Sequence, residues 1–201
     1  MAAAPTLITS PRISASTFDI EHTVRVNGVY TLPFKGNKFI EGWQISGIMT
    51  KTTGPPIIVA TGIDQALTGQ AGNQRPNITP GFNVSSMQVG TVNQWYNPLG
   101  YTLQPIGTEG NAGRDILRGP GVFNMDASLL KDTKIPKISE QFTVQFRAEF
   151  FNFLNHENFG IPNLSLFTSS SGARNPAAGQ IVSSNPGTIP RQIQFALKII
   201  F

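Results

Sequence analysis

Arg191-Gln-Ile-Gln-Phe-Ala-Leu-Lys-Ile-Ile-Phe201 sets Ile193, Phe195, Leu197, Ile199 and Phe201 on one side of an extended chain and Gln192, Gln194, Ala196 and Lys198 on the other. Successive side chains of a strand point to opposite faces, so a period of two predicts a strand with one apolar face. Phe142-Thr-Val-Gln-Phe-Arg-Ala-Glu-Phe150 repeats the pattern, with Phe142, Val144, Phe146, Ala148 and Phe150 opposite Thr143, Gln145, Arg147 and Glu149. Phe123-Asn-Met-Asp-Ala-Ser-Leu129 does so again. Nearer the start, Val24, Val26, Tyr30 and Leu32 alternate with Thr23, Arg25, Asn27 and Thr31, and Trp43, Ile45 and Met49 with Gln44 and Ser46. Gly28 and Gly47 interrupt these two apolar faces, and Val29 and Ile48 fall on the polar side.

The connections are of two kinds. Pro33–Lys38 and Lys131–Lys137 are short, whereas Thr52–Pro120 and Asn155–Pro190 are long and rich in Gly, Pro, Asn and Ser. A structureless connection of that length counts against a compact soluble domain. Outer-membrane barrels, by contrast, alternate short periplasmic turns with long extracellular loops, and a strand of about ten residues crosses the bilayer when tilted. The whole chain, 1–201, therefore reads as all-β, an antiparallel transmembrane β-barrel fragment of about five or six strands, an incomplete barrel with long extracellular loops. The strands are expected near 20–33, 39–52, 121–131, 139–153 and 190–201, with long loops at 53–120 and 154–189. The soluble alternative is an extracellular β-sandwich that binds carbohydrate or protein.

Composition agrees. Charged residues make up 13% of the chain, about half the usual share of roughly 25%, so its polarity comes from Asn, Gln, Ser, Thr and Gly. With no Cys there is no disulfide framework, thiolate metal site or cysteine nucleophile. The net charge of +4 is scattered, which argues against nucleic acid as a partner. No apolar run is long enough for a transmembrane helix. The start, Met1-Ala-Ala-Ala-Pro-Thr-Leu7, lacks the basic and apolar regions of a signal peptide. A complete chain of this kind is expected to stay in the cytoplasm, in conflict with its strands.

A series of segments carries a family resemblance: Phe18-Asp-Ile-Glu-His-Thr-Val24, Tyr30-Thr-Leu-Pro-Phe34, Gly42-Trp-Gln-Ile-Ser-Gly47, Gly72-Asn-Gln-Arg-Pro-Asn77 and Trp95-Tyr-Asn-Pro98. It continues through Gly110-Asn-Ala-Gly-Arg114, Phe146-Arg-Ala-Glu-Phe-Phe-Asn-Phe-Leu-Asn-His156 and Asn158-Phe-Gly160. In this order and spacing they resemble the C-terminal barrel of TonB-dependent receptor-like outer-membrane proteins, in particular the Oar-like group with a carboxypeptidase-regulatory-like domain. The resemblance implies a bacterial outer-membrane barrel of about 22 strands, closed by an N-terminal plug and energised through TonB for uptake of a ligand. The chain has no plug, TonB-box segment or export signal, so it is expected to be a fragment. Its implied partners are outer-membrane lipid, the missing N-terminal barrel and plug, the barrel-assembly machinery, and TonB through the parent protein.

Two residue sets stand out. Ile193, Phe195, Leu197, Ile199 and Phe201 match the alternating, aromatic-ended final strand by which such barrels are recognised for assembly, where strand addition gives affinity and alternate side chains give specificity. Gln145, Arg147 and Glu149 share the polar face of one strand, which in a barrel is the lumen. His22 and His156 stand beside Glu21 and Glu157 without a third ligand at metal spacing and read as polar rim residues. Arg114, Asp115 and Arg118 precede Gly119-Pro-Gly121 without completing a phosphate-binding motif. No Gly-x-Ser-x-Gly elbow occurs, and the glycosylation triplets at Asn77, Asn83 and Asn163 are what chance yields here. Phe150–Phe153, and Tyr30, Phe34 and Phe201, are placed as aromatic girdles at the outer and inner interfaces. The expectation is a non-enzymatic chain of the cell outer membrane without cofactor or metal.

Overall fold

A computed structural model describes residues 16, 18–72 and 74–201. The Met1–Leu7 start and Asn73 of the Gly72–Asn77 segment lie outside the described residues. In chain order the strands are β1 (Thr23–Thr31), β2 (Trp43–Thr52), β3 (Pro56–Ile57), β4 (Asn77–Ile78), β5 (Tyr101–Thr102), β6 (Leu117–Arg118), β7 (Val122–Lys134), β8 (Thr143–Phe151) and β9 (Gln192–Ile200). The chain divides into two compact units, one of Met1–Asp19, Pro55–Gly119 and Pro162–Gln180, the other of Ile20–Gly54, Pro120–Ile161 and Ile181–Phe201.

The second unit is an antiparallel sheet in the order β1-β2-β7-β8-β9. Its register brings the alternating patterns of all five strands into phase. Ile45 of β2 faces Tyr30 on one side and Leu129 on the other, Leu129 faces Ala148, and Ala148 faces Phe195. Because a slip of one residue would turn a strand's apolar set to the opposite face, this agreement pins the register along the whole sheet. Gly28 and Gly47 face each other beside Ala127, so the interruptions seen in the sequence form one shallow row across three strands. Val29 and Ile48 lie on the polar face. Among the described residues β1 and β9 each keep one unpaired edge, and the sheet is an open piece of barrel wall.

The connection from β1 to β2 is a tight reversal in which Leu32 N donates to Trp43 O at 2.9 Å. Gly42 continues the pairing beyond β2, accepting from Asp132 N at 3.0 Å. It has φ +76° and sits so close to the Asp132 carbonyl that a Cβ would collide with backbone, so glycine alone fits there. The next connection differs from the sequence reading. β7 runs to Lys134, three residues past the expected end at 131, and Lys131 and Thr133 pair with Phe146 and Val144. The turn is 135–142, closed by Ile135 N to Phe142 O at 2.9 Å. Lys131 opens the short connection read from the sequence, yet it is a strand residue. Its aliphatic stem instead lies on the apolar face while the ammonium, 5.1 Å from the Trp43 ring centroid, donates at 2.8 Å to the carbonyls of both Lys38 and Glu41, as long basic side chains do near apolar surface.

The first unit gathers most of the two long connections. Regular structure is sparse, two short strand pairs (β3 with β6, β4 with β5) and two 3-10 turns at Val84–Ser86 and Pro98–Gly100. The two connections are nevertheless laced together: Ala60 N donates to Leu164 O at 2.9 Å, Leu166 N to Ala60 O at 3.0 Å and Trp95 N to Gly179 O at 2.7 Å. Between them lies a core of Ile57, Met87, Tyr96, Tyr101, Leu117 and Leu166, all buried. Asparagines replace the missing ladders, taking up backbone amides that no strand satisfies. Asn111 accepts from Ile78 N while Asn77 accepts from Asn111 N, and Asn83 and Asn163 accept from Ser85 N and Ser165 N.

Candidate functional site

The sheet presents two chemically opposite surfaces. On the apolar one, Val26, Tyr30, Ile45, Ile193, Phe195, Leu197 and Ile199 are all exposed, Phe195 at 68%. Exposed apolar area on this scale has no place on a monomeric protein in water. It is the surface that a strand in lipid presents, and no second sheet covers it among the described residues. Phe146 and Phe195 stack at 6.1 Å between ring centroids across β8 and β9. Phe201 follows β9 and is 90% exposed.

The polar surface carries three separate side-chain contacts. Gln145 Nε2 donates to Asp132 Oδ1 at 2.9 Å, Arg147 reaches Glu149 at 3.4 Å along one strand, and the hydroxyls of Ser46 and Ser128 meet at 2.6 Å. Gln145, Arg147 and Glu149 thus occupy one face of β8, but they are not one cluster: Gln145 is tied to β7, and only Arg147 and Glu149 pair. Both members of that pair are partly exposed, and such pairs contribute little stability. A depression of about 200 Å³ next to them is lined by Ser46, Ile48, Asp126, Ser128, Glu149 and Phe151.

Where β8 ends, the geometry becomes specific. Asn152 is 2% exposed and adopts φ +47°. Its amide donates to Asp126 Oδ1 at 2.8 Å, its side-chain carbonyl accepts from His156 N at 2.9 Å, and its Nδ2 donates to the carbonyls of His156 and Ile189, each at 3.0 Å. Asn158, also buried, brackets Phe123, accepting from its N at 2.7 Å and donating to its O at 2.9 Å. These two side chains tie the long return segment to the rim of β7 and leave a cleft of about 340 Å³ lined by Asn155, His156, Glu157, Ser184, Thr188 and Pro190 among others. Ser184 Oγ donates to Glu157 Oε1 at 3.0 Å, and the His156 ring packs edge-on against Phe123 at 5.4 Å. The Ser184 hydroxyl is therefore held by the Glu157 carboxylate at the edge of the cleft.

His22 is far from this cleft in the strand order, its amide bonded to Thr53 Oγ1 at 3.1 Å. Among the described residues no three His, Cys, Asp or Glu side chains converge as metal ligands. In the first unit Arg118 pairs with Asp19 at 3.3 Å, and Arg114 lies 3.7 Å from its neighbour Asp115. Asn152, Asn158 and Asp126 carry the rim, and none was singled out from the sequence. The available signal was the Asn-x-x-Asn spacing at Asn152 and Asn155, both of which adopt positive φ, a conformation asparagine tolerates better than most residues.

Burial pushes the hydroxyl of Tyr101 up to about 12 and that of Tyr96 higher still. Tyr96 donates to Asn163 O at 2.7 Å, while Tyr101 Oη has no hydrogen-bond partner among the described residues. Partial burial raises the Asp64 carboxyl, but the amides of Gly69 and Thr68 and the Gln74 side chain outweigh it and hold the group below its ordinary value.

No curated protein and no solved structure matches this chain. A family described as outer membrane beta barrel domain matches residues 6–194. That span holds β1, β2, β7 and β8 whole and the first three residues of β9, together with both long connections. One apolar face, one polar face and long connections joined to one end of the sheet are what such a domain requires, and the chain belongs to the outer membrane beta barrel domain family, a protein of the outer membrane.

Proposed function

We propose that this chain is the closing part of an uptake barrel driven through TonB, with a plug supplied elsewhere in the protein. One observation carries the reading: the two long connections build a folded unit around Tyr96, Tyr101 and Leu166. A passive pore needs only a lining, whereas a receptor needs a rigid outer surface that selects its ligand before transport. The segments from Phe18 to Gly160 that resemble TonB-dependent receptor-like barrels support the same reading. Arg147 and Glu149, on the polar face of β8, are positioned to meet a plug or a passing solute. Ile193, Phe195, Leu197, Ile199 and Phe201 serve assembly, read by the machinery that folds outer-membrane barrels through addition to the free edge of β9. No catalytic step is assigned to the chain.

The test compares solutes left in the spent medium of three strains: wild type, one lacking the gene for this protein, and one lacking TonB. The same solute should remain in both deletion cultures and be consumed by the wild type. A solute spared only when this protein is absent, and consumed normally without TonB, would overturn the reading.

A further inference from the structure

The end of the sheet away from the long connections carries an uneven charge. Six of the seven lysines, Lys35, Lys38, Lys131, Lys134, Lys137 and Lys198, lie in or beside its two turns, and only Lys51 lies at the other end. The acids at this end are Glu41, Asp132 and Glu140, and Asp132 is already engaged by Gln145. Neither turn contains an arginine. The same turns expose large apolar side chains beside the lysines: Phe39 is 83% exposed and Ile138 63%, with Phe34 and Ile40 also open. A cavity of about 300 Å³ opens among Lys38, Glu41 and Gly42 of the first turn and Asp132, Thr133 and Lys134 at the end of β7.

A turn surrounded by water gains nothing from exposed phenylalanine and isoleucine next to lysine. At a membrane surface the combination is favourable, because the apolar groups enter the boundary of the acyl chains while the ammonium groups meet phosphate. Lys131 shows which side is involved. It stands on the apolar wall, yet its head is drawn down to the Lys38 and Glu41 carbonyls beside Trp43, so lysine and aromatic already occupy one interfacial level.

We propose that this turn end docks on anionic phospholipid headgroups of the leaflet facing the periplasm, with Lys35, Lys38, Lys134 and Lys137 meeting the phosphates and Phe34 and Phe39 entering the boundary below them. A membrane fits better than an acidic protein because the basic and apolar residues continue directly from the lipid-facing wall of β2 and β7. Lys131 is excluded from the phosphate set, since its donors serve the turn.

The full-length barrel, reconstituted in phosphatidylethanolamine vesicles with and without cardiolipin, is re-extracted and its retained lipids are weighed by mass spectrometry. Wild type should enrich cardiolipin over the bulk mixture, and high salt should reduce that enrichment. One lysine near an anionic surface changes binding by roughly fivefold, so the combined substitution K35Q/K38Q/K134Q/K137Q should lower the enrichment by at least about tenfold. The matching set of Lys→Arg substitutions should keep it, and Lys51→Gln should leave it unchanged. Equal enrichment in the folded glutamine variant overturns the proposal. So does a glutamine variant that keeps its lipid but loses a cross-link to an acidic periplasmic protein. Should the glutamine variant fail to fold, wild type decides: enrichment that high salt leaves untouched overturns the proposal as well.

Discussion

The two units of this chain solve opposite problems with similar residues. In the sheet, each strand satisfies its backbone through ladders with its neighbours, and Ile193, Phe195, Leu197 and Ile199 stay outside. In the loop unit ladders are nearly absent, and Met87, Tyr96, Tyr101 and Leu166 are fully inside. The difference is one of solvent. Lipid rewards an apolar exterior but provides no partner for a bare amide, so pairing must be complete between strands. Water rewards burial and does provide partners, so irregular backbone survives there with help from asparagine. A substitution should therefore be harmful by different rules in the two units.

Four measurements bear on that contrast. Leu166→Ala empties a fully buried position and should cost the loop unit about 3–5 kcal/mol. Limited proteolysis within 55–119 should accelerate while the folded fraction of the barrel in lipid is unchanged; a loss of folded barrel would mean that the two units are not energetically separate. Leu129→Arg places charge on the apolar face near the middle of β7 and should cost roughly 2–4 kcal/mol of barrel stability in vesicles. Gln145→Arg on the polar face should cost far less, and equal costs would show that the faces have been exchanged.

Asn152→Ala tests the rim. It strands the carbonyls of His156 and Ile189 and the His156 amide, and should cost about 1–3 kcal/mol, read as faster hydrogen exchange over 153–160. Asn152→Gly should behave somewhat better, since positive φ is free for glycine. The smallest effects concern the tyrosines. Tyr96→Phe gives up the bond to Asn163 O and should cost about 1 kcal/mol, whereas Tyr101→Phe gives up none and should cost almost nothing. Both hydroxyls ionise less readily in the folded unit than in the unfolded chain. Their contribution is therefore complete below the ordinary tyrosine value of 10.0 and is lost as pH rises from there towards the folded values, about 12 for Tyr101. Proteolysis against pH should show this alkaline loss, and Tyr101→Phe should reduce it.

The fold is most legible in the sequence where one period runs through whole segments. The alternation in Phe142–Phe150 and Arg191–Phe201 is enough to assign strands and faces, because a period of two admits only one arrangement of side chains about a strand. It is least legible at boundaries and in the connections. Lys131 opens a short connection in the sequence, and only the register and the side-chain bonds show its stem on the wall and its ammonium at the turn carbonyls. The apolar residues of the loop unit, Ile57, Met87, Tyr96, Leu117 and Leu166, are spread over two segments far apart in the chain. No local period connects them, so the two connections read as structureless.

Alternation, the contrast of short and long connections and the low charge content determined by themselves that this is a β-protein whose strands each carry one apolar and one polar face, since each is a property of neighbouring residues along one chain. Tertiary structure alone decided that the long connections share a core, that Asn152 and Asn158 tie the rim, and that the lysines of two separate turns meet at one end. Those outcomes depend on which distant segments are brought into contact, and a residue's type constrains its own environment far more than it identifies its partners.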